Sequence, residues 1–211
     1  YLLGIPFGVL RPDDHALREI EDALRIAERS SDDVVVGFIR ATLALALLHR
    51  QQAAERDRGM TLGADVSEVL VNQGRNLCDV PIVQIYLARE TARGGGRDDA
   101  IALMRSTVEH LFRTSRLLLW GVPATGVLVE TLLDRCADGD IAEAEAAIER
   151  LTHAPADDGL VIRDIWLLRM HALLARAHGD EAIHLDTADR YRSMAIDLGF
   201  DGHIAWAEAM A

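Results

Sequence analysis

The chain has 211 residues, half of them hydrophobic, and 34 acidic against 22 basic residues leave it with a net charge of −12. That length suits one large domain or two small ones. The charge argues against nucleic acid, whose affinity is carried mainly by cationic groups, and against anionic membrane surfaces. All 22 basic residues are arginine. Without lysine, neither a P-loop nor a Schiff-base enzyme can be built from these residues.

The opening run Leu2–Leu10 is apolar but short. It is broken by Gly4, Pro6 and Gly8, so it cannot span a bilayer, and it lacks the basic start of a signal peptide. It is expected to pack on helices. The first helix is expected over 13–29, where Pro12-Asp-Asp14 supplies capping carboxylates and Leu17, Ile20, Leu24 and Ala27 share a face. The second is expected over 33–49. Its Val34-Val-Val36 reads locally as strand, but Phe38, Leu45 and Leu48 extend the apolar run to helical length.

The third helix, 52–72, carries Gly59 and Gly63, each costing up to about 1 kcal/mol relative to alanine. Pro81 opens a helix that ends at Gly94. Residues 97–115 place Ile101, Met104, Val108 and Leu111 on one face. Pro123 opens another helix to Cys136, and Asp140 is expected to cap the next, to His153. Residues 154–159 form the clearest loop. Helices over 160–177, 180–198 (with Gly199 as C-cap) and 203–210 complete about ten, in roughly five antiparallel pairs.

One helix–turn–helix signature recurs about every 40–46 residues. It appears as Ile85–Arg89 with a turn at Gly94–Gly96 and then Asp98–Met104. It returns as Val129–Leu133 with a turn at Asp138–Asp140 and then Ala142–Ile148. A third copy is Leu173–Arg176, His178–Asp180 and Glu181–Ile183, and Leu43–Leu48 with Ala53–Arg56 is a looser one. The period predicts an all-α fold, with antiparallel helix pairs stacked as a right-handed superhelical, tetratricopeptide-like solenoid, each pair burying its apolar stripe on its neighbours. The whole of 1–211 is read as one such unit, and its start at Tyr1 as the edge of a fragment of a larger protein.

Few residues suggest chemistry. HExxH, GxSxG and CxxC patterns are absent. Gly94-Gly-Gly96 follows a helix, where a dinucleotide fingerprint needs a strand. Cys78 and Cys136 read as free thiols of a reducing cytoplasm. His171 and His178, seven residues apart on one helix face, are too far apart to share a metal, and with the nearby His184 they read as core or surface histidines. The pairs Asp13-Asp14, Asp32-Asp33, Asp98-Asp99 and Asp157-Asp158 stand at helix starts, where they complement the helix dipole. No cofactor is expected.

Two constellations stand out. Trp120-Gly-Val-Pro-Ala-Thr-Gly126 places an indole on a Gly/Pro hinge, either to pack the joint between repeats or to frame an anion-binding helix N-terminus. Trp166 and Arg169 share a helix face, Arg163 is one turn earlier, and Tyr86 and Arg89 hold the equivalent places on an earlier helix. Together these can line a concave groove with the aromatic and arginine anchors that binding surfaces favour. Their alternative is structural, with tryptophan in the core and arginine in surface pairs.

From Pro81 onward the chain resembles a known family. The likeness is carried by Leu118-Leu-Trp-Gly-Val-Pro-Ala-Thr-Gly-Val-Leu-Val-Glu-Thr-Leu, by Ala142-Glu-Ala-Glu-Ala-Ala-Ile-Glu-Arg150, by Leu160-Val-Ile-Arg-Asp-Ile-Trp-Leu-Leu168 and by Gly199-Phe-Asp-Gly-His-Ile-Ala-Trp-Ala-Glu-Ala-Met210. These segments are similar to the C-terminal repeat region of large actinobacterial, chiefly mycobacterial, regulators. Those proteins join a class III adenylate/guanylate cyclase domain, an AAA/STAND-type ATPase and tetratricopeptide-like repeats. The resemblance implies a non-catalytic regulatory domain that binds a protein, peptide or small effector in its concave face and signals to upstream ATPase and cyclase domains. It carries over no catalytic residue. A dimerisation module of the same parent, acting through a homodimer, is the alternative expectation.

Overall fold

The computed structural model describes residues 1–30, 32–72, 80–114, 120–155 and 160–210. Among these residues there is no strand, and ten helices follow one another: α1 (Asp14–Ser30), α2 (Asp33–Leu48), α3 (Ala53–Asn72), α4 (Val80–Arg93), α5 (Arg97–Arg113), α6 (Val122–Arg135), α7 (Asp140–Thr152), α8 (Val161–His178), α9 (Glu181–Leu198) and α10 (Asp201–Glu208). Most limits fall within two residues of those read from periodicity. Cys78, Asp157-Asp158 and most of the 154–159 loop lie outside the described residues.

Local chemistry explains the boundaries. Asp13 accepts the Ala16 N–H at 2.7 Å, and Asp32 accepts from Val34 and Val35 at 3.0 and 3.2 Å. Asp180 accepts from Ile183 at 3.1 Å. Each satisfies amides that a helix start leaves unpaired. Gly179 and Gly199 close α8 and α9 in the left-handed region, and Cys136 closes α6 there at φ 52°. Asp140 is a correction to the expected pattern. The N-cap of α7 is Gly139, and Asp140 is the helix's first residue. Its carboxylate instead turns back to the Ala137 N–H at 2.8 Å and to both sides of the Arg135 fork at 2.9 and 2.6 Å.

The glycines that weakened the case for α3 have a packing reason. A Cβ at Gly59 would lie 3.0 Å from Leu47 Cβ and 3.1 Å from the Leu48 backbone nitrogen. The bare backbone lets α3 lie close against α2, and closer packing offsets the helix-propensity cost.

Each helix packs on its sequence neighbours, and α2, α4, α6 and α8 also touch in succession, forming one layer. The short turns at 94–96, 136–139 and 179–180 make the joined helices antiparallel. Two arginines mark equivalent joints. Arg50 reaches Asp14 at the start of α1, 36 residues back, and Glu55 in the first turn of α3, 5 residues on. Arg135 reaches Asp98 at the start of α5, 37 residues back, and Asp140 at the start of α7, 5 residues on. The two ties have nearly the same offsets, 36 and 37 residues back and 5 residues on.

The first ten residues are turns. They run against this layer and bury Ile5 and Phe7. Tyr86 of α4 donates its hydroxyl to the Pro6 carbonyl at 3.1 Å. Trp166 Nε1 of α8 and His203 Nε2 of α10 both donate to the Phe7 carbonyl, at 3.3 and 3.0 Å. The main core extends from Phe7 and Leu45 through the rings of Tyr86, Trp120 and Trp166 to Ala207. A smaller core joins Ile5, Ile20, Leu43 and Leu47.

Gly126 decides how closely α6 and α8 approach, because any Cβ there would overlap the six-membered ring of Trp166. Helix propensity alone would make Gly126→Ala stabilising by up to about 1 kcal/mol. Overpacking costs about 1–3 kcal/mol, and it dominates here because the overlapping partner is a rigid ring that is 1% exposed. Gly126→Ala is therefore expected to lower stability in urea titration and to shift tryptophan emission. Unchanged or higher stability would show that the Trp166 ring moves freely.

Candidate functional site

A cavity of about 460 Å³ opens among α4, α6, α8 and the last residues of the chain. α4 contributes Tyr86, Arg89 and Arg93, α6 contributes Val127, Glu130, Leu133 and Asp134, and α8 contributes Trp166, Arg169, Leu173 and Arg176. Trp206, Ala209 and Met210 cross the end. The helical period brings the chief residues into register. Tyr86 and Arg89 are three apart, as are Trp166 and Arg169, so each arginine stands one turn beyond its ring on the same face.

Each guanidinium is held by a ring and a carboxylate. Arg89 lies 4.6 Å over the Tyr86 ring, and Arg169 lies 5.5 Å from Trp166 and 4.8 Å from Trp206. Arg169 forms an ion pair with Glu130. Arg89 shares Glu90 with Arg93 and Arg56, at 3.2, 2.7 and 3.1 Å, and donates to the Leu48 carbonyl at the end of α2 at 2.6 Å. That carbonyl is one a helix end leaves unpaired. Burial, followed by the charge of Arg93, lowers the Arg89 pKa to about 10, so the group stays charged at neutral pH. Burial lowers Arg169 as well. Burial raises Tyr86 to about 12 and keeps the phenol neutral.

Four of the six residues singled out from sequence thus converge here: Tyr86, Arg89, Trp166 and Arg169. The other two do not. Trp120 is fully buried and stacks on Phe7 with ring centroids 5.6 Å apart. Val122, Pro123, Ala124 and Thr125 bury the start of α6 around it, so that helix N-terminus is a packed joint and is closed to an anion. Arg163 donates to the Ala154 carbonyl at 3.2 Å and is absent from the cavity. Sequence reasoning missed Trp206 and Glu130. Glu130 follows Glu90 by one repeat length, a signal that was available. Trp206 depends on α10 folding back, which no local pattern reveals.

The histidines of α8 and α9 do not converge. His178 faces Glu145 at 2.9 Å, and His184 is buried and donates through Nδ1 to the Ala172 carbonyl at 2.8 Å. Two others back the site. His49 packs between Tyr86 and Trp206, with centroids at 4.3 and 6.3 Å, and its Nδ1–H donates to the Leu45 carbonyl at 2.7 Å. His203 is edge-on to Trp206 and Trp166, at 4.9 and 5.5 Å. Its Nε2–H donates to Phe7 while Nδ1 accepts the Tyr191 hydroxyl at 2.7 Å. Both bonds together require the neutral ring.

Among the described residues, no three His, Cys, Asp or Glu side chains gather as metal ligands, and no helix is long and apolar enough to cross a membrane. No family model matches the chain, and neither does any curated protein or solved structure.

Burial first, then the charges of Arg89 and Arg169, push His49 and His203 down to about 3 from an ordinary 6.5. The unfolded chain binds these protons near pH 6.5 and the folded chain does not. The stabilisation is therefore complete above pH 6.5 and is lost as pH falls from there toward 3. At pH 5 the loss is about 2 kcal/mol for each ring. Chemical denaturation at pH 7, 6 and 5 is expected to show it, above the range where ordinary carboxylates titrate. A flat profile would mean that both rings accept protons within the fold.

Proposed function

We propose that this chain is a non-catalytic effector-binding domain, and that the cavity ringed by Tyr86, Arg89, Trp166, Arg169 and Trp206 is its binding site. Its architecture in this reading is a superhelical stack of tetratricopeptide-like pairs, with α2, α4, α6 and α8 as the concave layer. The equivalent ties of Arg50 and Arg135 support that reading, as does the succession of contacts through the layer. The parent protein is a cytoplasmic regulator of the kind the C-terminal sequence resembles, in which this domain reports effector occupancy to ATPase and cyclase domains.

One observation carries the binding assignment. Two ring–arginine pairs, 80 residues apart in sequence, face one cavity of small-molecule size. Binding pockets usually enclose about 300–1,000 Å³.

The test uses the chain itself. It is incubated with the small-molecule fraction of host cytosol, passed through a desalting column, denatured, and the retained compounds identified by mass spectrometry. A compound retained by the wild-type chain and lost from Trp206→Ala is expected, with circular dichroism confirming that the variant is folded. Identical profiles for the two chains would overturn the site. Incubation with ATP or GTP and Mg²⁺ is expected to give no cyclic nucleotide, and turnover would overturn the non-catalytic reading.

A further inference from the structure

The cavity holds more positive charge than its own carboxylates balance, on a chain whose net charge is −12. Glu90 is shared among Arg56, Arg89 and Arg93. Glu130 answers Arg169. Arg176 is exposed at the rim and pairs with no carboxylate among the described residues. Asp134 is the remaining carboxylate of the lining. The lining itself has four guanidinium groups against two carboxylates, and with Arg56 and Glu90 behind it five guanidinium groups meet three carboxylates.

Two further features point to an anion. The Nε–H of Arg169 is buried and has no acceptor among the described residues, and a buried donor left unpaired in a native structure calls for a missing partner. Burial, with the nearby charge of Arg89 added to it, also lowers the affinity of Arg169 for its proton. Such crowding is relieved by an added negative charge.

We infer that the site takes a small anion, a carboxylate or a phosphate monoester, carried on a flat apolar body. The inference rests on the reading of this cavity as the effector site. Guanidinium groups match both oxyanions through their planar fork. The flat body is matched by the Trp206 indole, which is half-buried and already carries the Arg169 guanidinium over its face at 4.8 Å. Val127, Leu133, Leu173 and Met210 supply the apolar wall. A bare inorganic anion leaves that wall wet, and a neutral flat molecule leaves the Arg169 donor unpaired. Each half of the ligand is therefore needed for tight binding.

Isothermal titration calorimetry of the chain tests this with five probes: 2-naphthoate, 2-naphthyl phosphate, neutral 2-naphthamide, acetate and inorganic phosphate. At least one of the two naphthyl anions is expected to bind about tenfold or more tighter than the amide and than its own bare anion. Which of the two is tighter separates the carboxylate source from the phosphate source. Raised salt is expected to weaken the anion and leave the amide unchanged. Arg169→Met alone strands Glu130, so the variant used is Arg169→Met with Glu130→Gln. It is expected to abolish the preference for anion over amide. Arg176→Ala, at the exposed rim, is expected to reduce it severalfold without affecting the fold.

Equal affinity for amide and anion would overturn the charge assignment while leaving the effector site standing. Binding of acetate or phosphate as tightly as the naphthyl anions would overturn the flat-body assignment. If no probe binds below millimolar concentration, the ligand class is wrong. The retained-compound comparison with Trp206→Ala then decides the site separately.

Discussion

One carbonyl oxygen holds this structure in its shape. The Phe7 carbonyl accepts from Trp166, 159 residues away, and from His203, 196 residues away. Those two bonds join the beginning of the chain to α8 and to its last helix. Stacked helical pairs have no such need, because each pair is satisfied by its neighbours and the ends stay open. Here α10 turns back across the layer, and its amides at Asp201 and His203 meet the carbonyls of Val9 and Gly8 at 3.1 and 2.9 Å. Without that closure Trp206 would be a rim residue with no cavity to cap.

Burying guanidinium groups is costly, and the structure offsets the cost in two ways. The first is geometric: each buried fork lies on an aromatic face, which substitutes partly for water. The second is the use of shared carboxylates. Glu90 and Glu130 are almost enclosed, with side chains 7% and 19% exposed, and stand one repeat length apart on adjacent members of the layer. Each supports arginines of a neighbouring helix, so the charges also tie helix to helix. Outer pairs such as Arg150 with Glu109 are half-exposed and contribute little to stability. The net charge of −12 is therefore unevenly spread: the positive surplus is gathered along the cavity and its rim.

The helices were legible in the sequence because the 3.6-residue period is written by many residues at once and no single misplacement destroys it. The half of the site that repeats was legible for the same reason: Tyr86–Arg89 and Trp166–Arg169 occupy equal places in equivalent helices. Trp120 and Arg163 show the limit. Their types suit a groove as well as a core or a joint, and only the position of Phe7 against Trp120, and of the Ala154 carbonyl against Arg163, decides between them. Asp140 was misread because a carboxylate at a helix start has two partners to choose from. A neighbouring arginine fork outcompeted the amides of its own helix. The role of Trp206, and of the turn from Ile5 to Gly8, belongs to the tertiary closure and has no local signature.

The closure also places the cavity in direct contact with the start of the chain. Tyr191 donates to His203, and His203 donates to the Phe7 carbonyl. Trp166 reaches that carbonyl through its own indole N–H, and Tyr86 reaches Pro6. Two cavity residues are thus hydrogen-bonded directly to adjacent carbonyls of one turn. A shift of the Trp166 ring moves a carbonyl that α8 and α10 share. Residues 5–8 lack a helix of their own to resist such a shift.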